Sequence, residues 1–188
     1  MSQSTAINGA QDVVTFLKSQ HEEIKACFER VSSATGEQKQ EEFDHLRRLL
    51  AVHETAEEEV VHPRAKREIS NGDKVVGARL EEENEAKHVL SELEKLDVNS
   101  AEFSEKFESF RKDVIAHAES EEHEEFNQLA GELDQDQLTR MRKAVELAES
   151  TAPTHPHPGV ESAPANMLAG PFAAMTDRAR DLITGKNS

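Results

Sequence analysis

Two six-residue segments, His53-Glu-Thr-Ala-Glu57-Glu58 and His117-Ala-Glu-Ser-Glu121-Glu122, share one pattern. Each follows a single upstream histidine, His21 by 32 residues and His88 by 29. Within each segment the histidine and the first glutamate are four positions apart, so on an α-helix they lie one turn apart on one face. A chain built this way reads as a duplicated helical hairpin. Its four imidazoles and two carboxylates, from His21, His53, Glu57, His88, His117 and Glu121, would converge on a metal cluster.

Apolar periodicity places those residues on helices. Val13, Leu17, Gln20 or His21, Ile24, Phe28 and Val31 mark one face of a first helix over about residues 10–33. A second, from Glu37 to Ile69, carries Phe43, Leu46, His53, Glu57 and Val60 or Val61, and ends before Asn71-Gly72. Pro63 lies inside it. Proline removes a backbone donor and crowds the carbonyl four residues back, which predicts a kink or a stop just past Glu57. The third helix, Asp73 to Leu96, carries Val76, Leu80, His88 and Leu93. Asn99 with Glu102 offers a capping-box start for a fourth, whose face of Phe103, Phe107, Phe110, Val114, His117 and Glu121 closes near Gly131. Short connections between consecutive helices predict an all-α, up-down-up-down antiparallel four-helix bundle. Asp136 to Ala148 forms a short fifth helix, completing a domain over residues 10–150. Beyond it, residues 151–188 read as a Pro-rich linker, Thr151 to Ala165, followed by a short helix over Asn166 to Lys186.

Composition narrows the chemistry. A formal charge of −16 argues against nucleic acid and against anionic membrane surfaces. No leader-like segment and no long apolar run is evident, which predicts a cytoplasmic protein. Cys27 is the only cysteine, so a cysteine-built zinc or iron–sulfur site is excluded. With no tyrosine, a tyrosinate ligand is excluded too.

A lone His and Glu at spacing four on a charged helix is usually a surface pair worth a few tenths of a kcal/mol (about 0.2–0.5). Here both pairs interrupt apolar stripes, where burying carboxylates costs several kcal/mol per ion unless something compensates. Metal coordination is such a compensation. The other histidines read differently: His45 and His123 fall off the stripes, His62 shapes the kink before Pro63, and His155 and His157 stand in the tail. Glu58, Glu59, Glu122 and Glu124 point away from their ligating neighbours by about 100° per residue, as solvated or supporting carboxylates. Glu42/His45, Glu59/His62 and Glu85/His88 have the Glu-x-x-His spacing of ferritin-like oxidases, but none accounts for the repeated His-x-x-x-Glu. A mononuclear zinc hydrolase is disfavoured by the lack of His-Glu-x-x-His.

Histidine singles alternating with His-x-x-x-Glu pairs over residues 10–130 resemble the hemerythrin-like HHE cation-binding proteins. The resemblance implies a non-haem di-iron centre held by His21, His53, Glu57, His88, His117 and Glu121, with Glu57, Glu121 and an oxo or hydroxo group bridging the two irons. Hemerythrin itself supplies two histidines one turn apart on its third helix, whereas the residue one turn before His88 is Asn84. Four histidines shared two and two would leave a vacancy at each iron, suited to a ligand spanning the pair. The expected ligands are therefore hydrogen peroxide, O2 or nitric oxide, in a catalase-like reaction, in a peroxidase-like reaction with an electron donor the sequence does not identify, or in iron or oxygen sensing.

Overall fold

The computed structural model describes residues 12–155. The linker beyond residue 155 and the helix expected over 166–186 lie outside them. Among the described residues all regular structure is helical: α1 (Val13–Ser33), α2 (Gly36–Ala56), α3 (His62–Glu68), α4 (Gly72–Leu93), α5 (Ala101–Glu121), α6 (Asn127–Glu132) and α7 (Gln135–Glu149).

The second helix neither stops nor breaks at Pro63. One π turn, Glu57–Val61, joins α2 to α3, and the His62 N–H reaches the Glu57 carbonyl five residues back. This widened turn leaves Pro63 in the first turn of α3, where a missing N–H costs little. A second π turn, Glu122–Phe126, joins α5 to α6 with helical backbone throughout. It contains no proline, so the wide turn belongs to the repeat rather than to Pro63. The two continuous rods, residues 36–68 and 101–132, pack with α1 and α4 as the four helices of the bundle.

Caps set the ends. Asp12 Oδ1 accepts from the Thr15 N–H at 2.9 Å, and Asp134 with Gln137 forms a reciprocal capping box at the start of α7. The α5 cap is Ser100, whose Oγ accepts from the Phe103 N–H at 3.0 Å, and not the expected Asn99. Asn99 serves another purpose: its Oδ1 accepts from the Gly36 N–H at 3.0 Å, tying two loops together. Gly36 has φ +60°, and Asn71 at φ 56° makes the left-handed turn into α4.

The core is divided. One apolar cluster joins Val13 and Leu17 of α1 to Val60, Val61, Phe126, Leu129 and the inner face of α7 through Met141 and Val145. The other joins Ile24, Phe28 and Val31 to Phe43, Leu46, Leu90, Phe103, Phe107 and Phe110, with edge and tilted ring contacts among the phenylalanines. His21 stands on α1 between Leu17 and Ile24, so the polar residues of the interior occupy the layer between two dry clusters.

Candidate metal centre

Within that layer His21, His53, Glu57, His62, Glu83, Glu121 and Glu125 are all at most 3% exposed. His117 is half-buried at one edge. Four histidines share one orientation. His21 Nδ1 faces Glu122 Oε1 at 2.9 Å, His53 Nδ1 faces Gln20 Oε1 at 3.0 Å, His62 Nδ1 faces Glu125 Oε1 at 3.0 Å, and His117 Nδ1 faces Glu82 Oε2 at 2.8 Å. Each partner is an oxygen acceptor, so each Nδ1 carries the donated hydrogen; the Gln20 orientation is fixed by its Nε2 donating to Glu149 at 2.6 Å. Every Nε2 is thereby turned inward.

Inside, the donors crowd. His21 Nε2 lies 3.1 Å from His53 Nε2, 3.4 Å separates His21 Nε2 from Glu121 Oε2, and 3.3 Å separates His53 Nε2 from Glu57 Oε2. Glu121 Oε1 is 3.3 Å from His117 Nε2, so its two oxygens face two different histidine groups. His62 Nε2 makes a short contact with Glu83 Oε1, which is itself 4.0 Å from His117 Nε2. Donor atoms of His21, His53, Glu57 and Glu121 form one close group; those of His62, Glu83 and Glu121, and of Glu54, Glu83 and His117, form two more.

This arrangement is incomplete as a hydrogen-bond network. Both oxygens of Glu57, both of Glu121, Glu83 Oε2 and His117 Nε2 are buried with no hydrogen-bond partner among the described residues. Two imidazole nitrogens whose hydrogens are spent at Nδ1 present lone pairs to each other at 3.1 Å, which is repulsive unless a proton or cation lies between them. Two ligands at right angles on one ion, each about 2.1 Å from it, stand about 3.0 Å apart. The observed donor separations of 3.1–3.4 Å match that spacing. The donor set therefore fits a cation, and the outward acceptors are the groups that orient metal-binding imidazoles.

Electrostatics differ from one side to the other. Burial, aided by His21 nearby, pushes His53 down to about 3, keeping it neutral. His117 and His62 rise well above the usual histidine range: burial opposes charge on each, but Glu121 beside His117, and Glu83 and Glu125 beside His62, outweigh it. Glu121 falls well below the carboxylate range because His117 outweighs its burial, whereas burial and the Glu121 charge hold Glu57 well above it. Burial and then Glu83 raise Glu54 to about 8.

Of the six residues singled out in the sequence, the structure brings His21, His53, Glu57, His117 and Glu121 together. His88 is not among them. Its side chain is exposed on the outer face of α4, and the inward position on that helix belongs to Glu83. The reason is angular: stepping by four from Val76 to His88 advances about 120° around a helix of 3.6 residues per turn. The fourth inward imidazole is His62, assigned in the sequence only to a kink. The π turn carries it round to the face of Glu57, five residues earlier, and the signal for it was the His-Pro step itself. Glu125 and Glu82 were likewise not anticipated; His45 and His123 are exposed as expected.

The hemerythrin HHE cation-binding domain matches residues 12–129. The chain belongs to this family. A crystal structure of a hemerythrin HHE cation-binding domain-containing protein from Mycobacterium kansasii shares the fold, at a TM-score of 0.66 and 19% identity, covering 90% of this chain and 99% of that one. A protein of Nostoc sp. described as a DNA nickase is 26% identical over 141 residues, 74% of this chain. The matched part is 39% of the nickase's length. Family membership and the clustered donors together make this HHE domain a metal-cation-binding bundle. No described helix is long and apolar enough to cross a membrane.

Proposed function

We propose that this HHE protein holds a non-haem di-iron centre and binds or reduces a small diatomic or peroxide ligand: hydrogen peroxide, O2 or nitric oxide. The observation that carries the reading is the common orientation of four histidines, each Nδ1 engaged by an outer oxygen, with Nε2 of His21, His53 and His117 facing unpartnered oxygens of Glu57 or Glu121 and Nε2 of His62 in contact with Glu83 Oε1. His21, His53 and Glu57 would hold one iron, and His62, His117 and Glu83 the other, with one oxygen of Glu121 toward each side. Two such ions, joined by an oxo or hydroxo group, would supply the redox capacity that peroxide or nitric oxide chemistry requires.

The chain's own groups have definable parts in this reading. Phe126 stacks on His21, ring centroids 5.6 Å apart and planes 18° apart, fixing that imidazole and keeping water off its face. Glu54, buried beside Glu83 and His117 with its Oε2 lacking a hydrogen-bond partner among the described residues, is placed to exchange a proton with a ligand reduced there. Glu83 adds a third inward carboxylate to Glu57 and Glu121. Anionic donors favour the more highly charged, oxidised metal pair by Coulomb attraction, which favours turnover over reversible oxygen carriage. An iron- or oxygen-sensing module without turnover would use the same side chains. The ferritin-like reading is weaker, since His45 and His88 of its Glu-x-x-His motifs are exposed. A charge of −16 supports a role without a nucleic-acid partner.

The test combines metal analysis with peroxide addition. Iron-loaded protein should contain about two irons per chain, absorb in a near-ultraviolet region that is clear because Trp and Tyr are absent, and evolve oxygen from hydrogen peroxide. Glu121→Ala should lose both iron and oxygen evolution. Equal, negligible rates in the two proteins would remove the catalase-like reading, and metal-free wild-type protein after loading would remove the di-iron centre itself.

A further inference from the structure

Between α4 and α5 a cavity of about 290 Å³ leads inward from the protein surface. Glu85 and Asp113, both exposed, stand among its outer residues, with Ala86, Val89, Phe110 and Val114 along its walls. At its inner end are His117 and Glu54. Glu54 lines it and is 6% exposed, and its Oε2 has no hydrogen-bond partner among the described residues. Glu82 completes the lining; it accepts from Arg79 at 2.9 Å and faces His117 Nδ1 at 2.8 Å.

Three properties of this cavity point the same way. First, it touches the centre, because donor atoms of Glu54, Glu83 and His117 lie within 4.8 Å of one another. Second, its lining contains four carboxylates and no lysine or arginine. Arg79 and Lys87 of α4 are already engaged, with Glu82 and Glu58. Third, a single water needs only about 10–15 Å³ of such space, so the cavity accommodates an ion together with its hydration shell. The rest of the centre lies between two packed apolar clusters that a hydrated ion cannot cross.

We propose that the cleft between α4 and α5 is a cation-loading antechamber, in which Glu85 and Asp113 capture a hydrated divalent metal ion and Glu54 receives it at the inner end before His117. This rests on the metal-centre reading above. Acidic walls in a low-dielectric cleft concentrate cations and raise their rate of capture, by about tenfold or more at low salt. The exposed pair at the mouth acts on the rate of arrival and contributes no donor to the final site.

The experiment follows cobaltous ion entering the metal-free full-length protein by stopped-flow absorbance, with stoichiometry from equilibrium dialysis. Glu85→Gln/Asp113→Asn should load about tenfold more slowly at low salt than wild type, lose most of the salt dependence, and reach the same final stoichiometry. Glu41→Gln/Glu105→Gln removes two exposed charges elsewhere and should load like wild type. Ala86→Phe, which narrows the passage, should slow loading at every salt concentration. Equal rates for wild type and Glu85→Gln/Asp113→Asn overturn the proposal, as does equal slowing by the Glu41→Gln/Glu105→Gln control, which would reduce the effect to net charge. Reduced final stoichiometry in Glu85→Gln/Asp113→Asn would overturn it as well, by making the mouth residues ligands. Failure of the centre itself is recognised separately, as an absence of cobalt binding by wild type in the dialysis.

Discussion

The two copies of the His-x-x-x-Glu repeat share the His and the two consecutive Glu of the pattern and are unlike in surroundings. His53 faces a neutral amide at Nδ1 and another imidazole at Nε2, and is held neutral. His117 faces Glu82 at Nδ1 and Glu121 at Nε2, with Glu54 and Glu83 close by, and is held charged when no metal competes. Five residues past the repeat glutamate, one copy places His62 and the other places Phe126, one a donor and the other a wall stacked on His21. A symmetric motif thus produces an unsymmetric centre: two histidines on each side, with more carboxylates on the side beside α4, where the antechamber opens, than on the side beside α1. Duplication supplies the frame, and the residues around the shared His and Glu, Glu54 within the segment and His62 and Phe126 beyond it, decide what each half does.

The most severe way to test this comparison is to remove the metal altogether. Both halves then keep buried carboxylate oxygens without partners, and the folded state loses the free energy of binding. A ligand at 1,000 times its dissociation constant stabilises by about 4 kcal/mol. At about 2–4 °C per kcal/mol for a domain of this size, chelation should lower the melting temperature by about 8–16 °C. Differential scanning calorimetry with and without chelator checks it. An unchanged melting temperature would mean that the clustered side chains satisfy each other and coordinate nothing.

A smaller, one-sided effect is expected from His62→Phe, which gives the first copy the residue that the second has at the same offset. The group of His21, His53, Glu57 and Glu121 beside α1 keeps all its donors, so the variant should retain about half the metal per chain, by elemental analysis. His88→Ala serves as the comparison. It removes an exposed imidazole and should leave metal content unchanged, with stability altered by no more than about 0.5 kcal/mol. If His88→Ala loses metal and His62→Phe does not, the inward assignment of these two histidines is reversed.

How much of this was legible in the sequence depends on the kind of signal. The fold was, because apolar residues at helical spacing and short connections leave few other architectures, and the stripes of α1 and α5 locate His21, His117 and Glu121 directly. His88 misled because a stripe followed in steps of four drifts around the helix, while the buried residues of α4, Val76, Arg79, Glu83, Leu90 and Leu93, follow the true period. Glu83 was hidden by chemistry: within the run Glu81-Glu82-Glu83 nothing marks one carboxylate as buried. His62 was hidden by geometry. At a uniform 3.6 residues per turn it sits about 140° from Glu57, and only a π turn, which no periodicity argument supplies, brings the two together. The outward partners Glu82, Gln20 and Glu125 depend on how four helices rotate against one another, which the sequence of any one helix does not contain, whereas Glu122, on His21 Nδ1, is one of the carboxylates read as solvated or supporting.

The mildest expected effect concerns pH, and it separates metal-free from metal-loaded protein. Without metal, Glu54 and Glu58 hold their protons up to about 8 and about 7, burial being the main cause and Glu83 the next, while both would be ionised above the ordinary carboxylate range in the unfolded chain. His62 and His117 likewise hold protons above the ordinary histidine range. Between about pH 6.5 and 8.5 the folded state therefore binds more protons than the unfolded state, and stability falls as pH rises. His53 works in the opposite sense, but only below pH 6.5, because between about 3 and 6.5 it is the unfolded chain that takes up the proton. Metal binding requires the same imidazoles neutral and the carboxylates ionised, so affinity rises over the interval in which metal-free stability falls. The melting temperature of metal-free protein should thus decline from pH 6.5 to 8.5 while the increment gained on adding metal grows. Parallel curves would show that the carboxylate-rich side gives up no protons to the ion, and that the difference between the two halves of the centre has no bearing on how metal is held.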